Sequence, residues 1–375
     1  MESGSRRYYI GTMLAPARGF LGCLAPPLLI LKDTKHMSSS TTGAGTDART
    51  WASVIAPYRQ PDTLRSVREI IVTAVPFSAL WALSAWAAVS GWWLGLLLTI
   101  PAAGFLVRLF MLQHDAGHGA LFARRSLNDW TGRVIGVLTL TPYDYWRRSH
   151  ATHHATAGNL DKRGTGDVKT LTVAEYRALS RWARMRYRFY RHPLVMFGIG
   201  PAWIFICQYR FPIGMMRHGP RPWVSTIATN LGIAIPALGL IWLMGLVPFL
   251  LVQLPITLMA ATAGVWLFYV QHQFEDTHWS GGKEWDFHHA SLHGSSHYDL
   301  PRALQWFTGN IGIHHVHHLS SKIPFYRLPE VLRDHAELQH VGRITFLESI
   351  RSVKLVLWDE HSQRLVSFKK ARVLA

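Results

Sequence analysis

The sequence predicts an all-α integral membrane protein in which four transmembrane helices carry a cytoplasmic helical cap. Three observations predict it: two charge-free runs each long enough for two crossings, basic residues that avoid the turns inside those runs, and histidines clustered where the spans end. Composition agrees. Hydrophobic residues make up 49% of the 375-residue chain and charged ones only 16%, against roughly 25% charged in an average soluble domain. The 16 tryptophans suit a protein with extensive lipid–water interfaces. Two isolated cysteines, Cys23 and Cys207, make no disulfide framework and fit a reducing setting.

The first charge-free run extends from Ile70 to Val107. At about 1.5 Å per residue it makes roughly 57 Å of helix, about twice the hydrocarbon thickness. Ser90-Gly91-Trp92-Trp93 is a natural turn, giving spans at about 70–89 and 93–112. The second run, Pro222 to Phe274, is broken near Gly245 to Pro248 and gives spans at about 223–244 and 248–271. A third apolar stretch, Pro193 to Tyr209, is interrupted by Gly198, Gly200 and Pro201, and its length alone decides nothing.

Charge sets the orientation. Of the 39 lysines and arginines, nine precede Ile70, eighteen lie between Arg108 and Arg221, and twelve follow Phe274. Neither hairpin turn carries any, so the positive-inside rule places both termini and the middle loop in the cytoplasm. The net charge of +17 then belongs to a face above an anionic leaflet, and nucleic acid recedes as a partner. Glu175 to Arg191, with six arginines among tryptophan and tyrosines, reads as an interfacial helix. Residues 1–69 read as a leader, disordered in part: Met37 opens a polar run, and Gly19 to Leu31 contains Pro26 and Pro27 with no cleavage site close behind. Residues 70–335 form the main domain and 336–375 a cytoplasmic tail.

The 21 histidines are not randomly spaced. His114 and His118 form an H-x-x-x-H pair, and His150, His153 and His154 an H-x-x-H-H triplet. His314, His317 and His318 repeat the triplet register, with His315 off that face. Residues at i, i+3 and i+4 share one side of a helix, so each cluster can direct several imidazoles at metal. His272 closes the fourth span at a depth matching that of His114, and it completes a set of nine. Nine nitrogens exceed what one ion takes, whereas two ions with four or five each would use them all. Imidazole suits several metals. No hydrolase nucleophile accompanies the clusters, and a site where lipid chains meet the cytoplasm points to C–H chemistry with O₂ and iron. For the clusters to meet, the chain must cross the bilayer an even number of times between His154 and His314. Pro193 to Tyr209 should therefore lie in the cytoplasmic interface without crossing.

From about Arg108 to Arg333 the chain resembles the membrane fatty-acid desaturases, specifically the acyl-lipid omega-6 (Δ12) group. The resemblance rests on HDAGH at 114–118, HATHHATAGN at 150–159, YVQH at 269–272 and HHVHHLSSKIPFY at 314–326. The three-residue gap in the first motif is that of the acyl-lipid group, acyl-CoA Δ9 enzymes having four. The resemblance implies a four-span fold whose cap holds a histidine-box di-iron centre, two non-haem Fe ions on the nine histidines above. It also implies removal of two hydrogens from adjacent methylenes of a membrane-lipid acyl chain, with O₂ and electrons from a separate donor. No His-Pro-Gly-Gly segment of a fused cytochrome occurs, so that donor is expected to be a ferredoxin or a similar carrier. Asp115, Asp299 and Asn310 are candidates to orient the imidazoles. The alternative within the same scaffold is a hydroxylase or ketolase acting on alkyl chains or carotenoids. A metal transporter is disfavoured because the two charge-free runs hold no ionisable ligand apart from His272 at an end.

Overall fold

The computed structural model describes residues 47–164 and 167–373. Most of the predicted leader, residues 1–46 with the Gly19–Leu31 stretch and Met37, lies outside the described residues. A short helix, α1 (Ala48–Val54), precedes the first long one, α2 (Thr63–Ser90). The Asp62 carboxylate caps α2 by accepting the Arg65 N–H at 3.0 Å. The helix thus begins about two turns before Ile70, because its cap, not the first uncharged residue, sets its start. Gly91 ends α2 at φ 75°, a left-handed conformation open to glycine at no steric cost. A 3₁₀ stretch, Trp93–Leu98, then leads into α3 (Thr99–His118).

Four shorter helices follow: α4 (Arg125–Leu138), α5 (Tyr143–Thr156), α6 (Val173–Ala178) and α7 (Arg181–Tyr190). Two π-helical turns, Val195–Ile199 and Trp203–Cys207, flank the brief α8 (Gly200–Ala202). The second hairpin joins α9 (Pro220–Met244) to α10 (Leu246–His272) through Gly245 at φ 85°. Beyond it come α11 (Phe287–His293), α12 (Arg302–Phe307) and α13 (His314–Leu319).

Among the described residues four stretches, Thr63–Ser90, Trp93–His118, Pro220–Met244 and Leu246–His272, are long and apolar enough to cross a membrane. They are unequally covered: 50% of the apolar window is buried in Trp93–His118 but 6% in Pro220–Met244. The helix α3 is accordingly the hub, packed against α2, α4 and α10, while α9 turns Ile235, Leu238 and Trp242 outward. Trp81 on α2 donates its indole N–H to Gln253 on α10 at 3.0 Å, a polar clip in an otherwise apolar packing.

The cap is helical, with five very short strands among the described residues: β1 (Leu171–Thr172), β2 (His297–Asp299), β3 (Arg343–Thr345), β4 (Leu357–Asp359) and β5 (Arg364–Val366). β1 pairs parallel to β4, β4 antiparallel to β5, and β2 parallel to β3. Strands of two or three residues are too short to show an alternating pattern in sequence. Residues 336–373, set apart above as a tail, lie against the cap through β3 and β4, and the buried Trp358 stacks on Trp279 at 5.2 Å. The stretch 193–209 is likewise tied in. Met196 packs with Val107 and Leu267, Ile204 and Tyr209 with Tyr145 and Trp146. The Thr262 hydroxyl on α10 donates to the Phe197 carbonyl at 2.8 Å, satisfying an acceptor that π-helical geometry leaves out of register.

One ion pair stands inside the bundle. The Arg108 guanidinium on α3 is 1% exposed, meets Glu69 on α2 at 2.5 Å, and donates to the Trp306 carbonyl next to that residue's ring. Removing one member of such a pair strands a buried charge, which costs about 3–5 kcal/mol, whereas replacing both by apolar groups of similar volume costs little. Glu69→Ala should therefore lower the melting temperature of the detergent-solubilised protein strongly, and Arg108→Met combined with Glu69→Met much less. Equal melting temperatures for Glu69→Ala and the parent would show the pair to be solvated.

Candidate metal centre

The histidine motifs lie on four helices that end at one place. Pro142 sets the entry to α5, where its fixed φ suits a helix start. His150, His153 and His154 then occupy consecutive positions of one side. His114 and His118 fill the last turn of α3, His272 is the final residue of α10, and His314, His317 and His318 lie on α13. The structure brings all nine together in two groups. His114, His118, His150, His154 and His317 form the first, and His153, His272, His314 and His318 the second. Within each group the ligating nitrogens all lie within 4.8 Å of one another. Each triplet divides: α5 gives two imidazoles to the first group and one to the second, and α13 does the reverse.

The contacts inside the groups are between like atoms. Nε2 of His150 lies 3.0 Å from that of His118 and 3.1 Å from that of His154, which is 3.2 Å from that of His317. In the second group, His272 Nε2 is 3.1 Å from both His153 Nε2 and His314 Nε2. An imidazole Nε2 carries either one hydrogen or one lone pair, so converging Nε2 atoms do not make a satisfied hydrogen-bond network. They make a ligand set. Nitrogens held at right angles about an ion at about 2.1 Å would be roughly 3.0 Å apart. His318 makes the same point, being buried with no hydrogen-bond partner for either ring nitrogen.

Charge state fits as well. Burial first, and the neighbouring imidazoles second, hold His150, His153, His154, His314, His317 and His318 well below the ordinary histidine pKa. They are neutral at pH 7, with lone pairs free for metal. The residues present therefore fit a pair of metal ions.

Around this set the three orienting candidates fare differently. Asp115 reaches His114 Nδ1 at 3.3 Å and accepts the Phe325 N–H at 2.6 Å, so it links α3 to the segment after α13. Asp299 is drawn instead to Arg343 at 2.6 Å, outside the cluster. Asn310 adopts a left-handed conformation at φ 53° and donates to the Phe325 carbonyl. Neither meets a clustered imidazole. His315 faces away, its Nε2 2.9 Å from the Leu338 carbonyl.

Sequence reasoning missed several neighbours. Trp146 stacks on His150 with centroids 4.7 Å apart and planes at 14°; its position four residues before His150, on the same helix face, was the available signal. The Gly294 carbonyl lies 3.2 Å from His272 Nδ1 and fixes that ring, with no local pattern to announce it. Gln271 donates to the Ile311 carbonyl at 3.0 Å beside the site.

A cavity of about 180 Å³ opens between α3, α10 and the 195–209 stretch. Its walls are mainly apolar, among them Val107, Met111, Met196, Ala261 and Leu267, with Asp167 and Gln271 also present, and three clustered histidines line it: His114, His150 and His314. The first two belong to one group and the third to the other.

Comparison with known proteins gives concordant findings. A family model described as fatty acid desaturase matches residues 90–346. The chain is 45% identical over 315 residues to a fatty acid desaturase of Bacillus subtilis (strain 168), covering 84% of this chain and 89% of that protein. It is 27% identical over 283 residues to an sn-1 acyl-lipid omega-3 desaturase (ferredoxin) of Synechocystis, covering 72% and 74%. It is 26% identical over 237 residues to an sn-1 oleoyl-lipid 12-desaturase of the same organism, covering 60% and 63%.

The neutral imidazoles make the metal-free protein acid-sensitive. Their folded pKa values lie below the unfolded value of about 6.5, so the unfolded chain gains protons first as pH falls. Their contribution is complete above about pH 6.5 and is lost below it. The melting temperature of chelator-treated protein should hold from pH 8 to 7 and drop steadily toward pH 5. A flat profile across that range would mean that the rings are hydrated in the folded state.

Proposed function

Since the chain belongs to the fatty acid desaturase family, oxidoreductases that desaturate fatty acids, we propose that it introduces a double bond into a membrane-lipid acyl chain with Δ12, omega-6 regiochemistry. The observation that carries the proposal is the apolar slot bordered by imidazoles of both groups. The Δ12 position is supported by the likeness to relatives named as oleoyl-lipid 12-desaturases, and the spacing of the first histidine motif supports an acyl-lipid rather than an acyl-CoA substrate.

In this reading the five-histidine and four-histidine groups each hold one iron. The bound pair supplies the redox chemistry with O₂ that removes hydrogen from an unactivated chain. The protein's own work is geometric. Ala260, Ala261 and Gly264 keep one wall of the slot low, and a Cβ built on Gly264 meets nothing within 4 Å. Val107, Met111 and Leu267 exclude water, and His114, His150 and His314 border the channel where acyl carbons would pass. Asp115 and the Gly294 carbonyl hold His114 and His272 in orientation. Electrons come from a separate carrier, a ferredoxin or similar protein, as the name of the Synechocystis omega-3 desaturase indicates for that enzyme. Both termini and the metal centre face the cytoplasm, with 193–209 on that side throughout.

Fatty-acid profiling of a desaturase-free host tests the chemistry. Expression should produce a diene or another new double bond, and His153→Ala should abolish it at equal protein level. The exposed His218, outside both groups, should be replaceable by Ala with activity retained. Gly264→Phe should fill the slot and cut turnover at least tenfold without removing iron. An active His153→Ala enzyme would overturn the metal assignment, and a new hydroxyl group would overturn desaturation.

Cysteine-accessibility labelling tests the sidedness. Cysteines placed at His192 and Ile213 should react from the same face. Reaction from opposite faces would make 193–209 a crossing and separate His154 from His314.

A further inference from the structure

The outward face of α7 carries a pattern that packing against the protein does not explain. Trp182, Met185 and Phe189 are 75%, 55% and 65% exposed, and at i, i+3 and i+7 they form one stripe. The opposite face is the one in contact: Tyr187 is buried, and Arg191 is held by Tyr269, Gln273 and the Leu355 carbonyl. Arginines flank the stripe, Arg186 on one side and Arg181 on the other. Both are exposed, and among the described residues neither has a hydrogen-bond or ion-pair partner. An apolar stripe bordered by free guanidinium groups fits a surface that is greasy below and anionic at the rim. Exposed apolar side chains continue through Leu194, Ile199, Trp203 and Phe211 to Val224 on α9, a helix with the length and composition of a span. This continuity favours a lipid leaflet over an acidic protein as the occupant.

The same helix borders the slot. Tyr190, one turn after Arg186 on the same side of α7, lines the cavity, as do Val195 and Met196. A phosphate held at Arg186 would thus stand beside the place where the cavity wall reaches the helix. We propose that α7 docks acidic phospholipid through Arg181 and Arg186, so that the acyl chains offered to the slot belong mainly to anionic lipids. This rests on the desaturase reading and names its substrate class.

Two measurements test it in the full-length protein. In the first, lipids retained by the detergent-purified protein are quantified by mass spectrometry after expression in a host with both zwitterionic and acidic phospholipids. The parent should be enriched in phosphatidylglycerol over the host membrane. Arg181→Gln combined with Arg186→Gln should lose that enrichment, roughly fivefold per arginine given the usual attraction of one basic side chain to an anionic surface. Arg186→Lys should keep most of it. In the second, the new double bond is traced by lipid class soon after induction. It should appear first in phosphatidylglycerol, and the double glutamine variant should spread it evenly among classes while remaining active.

Retained lipid that mirrors the host membrane in the parent, or an enrichment that the double variant keeps, would overturn the proposal. So would a double variant that loses activity equally on every lipid class because its reduction by ferredoxin is slowed, since the patch would then be a donor-docking surface. Absence of any new double bond in the parent would refute the desaturase reading, while the retained-lipid measurement would still decide for or against docking.

Discussion

Nine imidazoles, seven of them buried and His118 and His150 partly so, can be packed together only if they are neutral and something accepts their lone pairs, and this requirement organises the molecule. Four separate helices must meet at one point, the last turns of α3 and α10 bringing their histidines to those of α5 and α13. The long helices supply a frame stiff enough for this, because in lipid their backbone groups have no partner except one another. Each of α5 and α13 serves both groups at once. Neither cluster can therefore be rearranged without moving a helix that the other uses, and the two are one structural unit.

The slot is the counterpart of that polar centre. Placing an apolar cavity directly against three of the histidines keeps water from the imidazoles and leaves a lipid chain as the natural guest. Much of the wall comes from side chains of modest size on α10 and from the π-helical turns after α7. Those turns bulge where a regular helix would close the gap, and the Thr262 bond to Phe197 shows how the backbone is satisfied despite the irregularity.

Much of this was legible in the chain. Runs without charge located four long helices, since lipid solvation is a matter of composition over some twenty residues. Helical spacing exposed the histidine triplets, since i, i+3 and i+4 is a local geometry. Features made by residues distant in sequence were invisible. The division of each triplet between two groups depends on how helices distant in the chain come together. Asp299 and Asn310 had the right chemistry at the right distance along the chain, but Asp299 is claimed by Arg343 across the β2–β3 pairing and Asn310 by the Phe325 carbonyl. The Gly294 carbonyl belongs to the backbone, which sequence does not distinguish at all.

The ion pair between Glu69 and Arg108 bears on how the protein is made. Arg108 interrupts the apolar stretch of α3 from Ile100 to Leu112, and an arginine alone in hydrocarbon opposes insertion by about 2.5–3.5 kcal/mol at the helix centre. Its partner stands on the preceding helix, near the start of the same hairpin. The charge is neutralised only when α2 and α3 lie together in a fixed register, so the hairpin is the unit the insertion machinery must release. A slip of one turn along either helix would separate guanidinium from carboxylate. The pair thus checks the alignment of the first hairpin before the second has been synthesised, and with it the depth at which His114 and His118 come to rest.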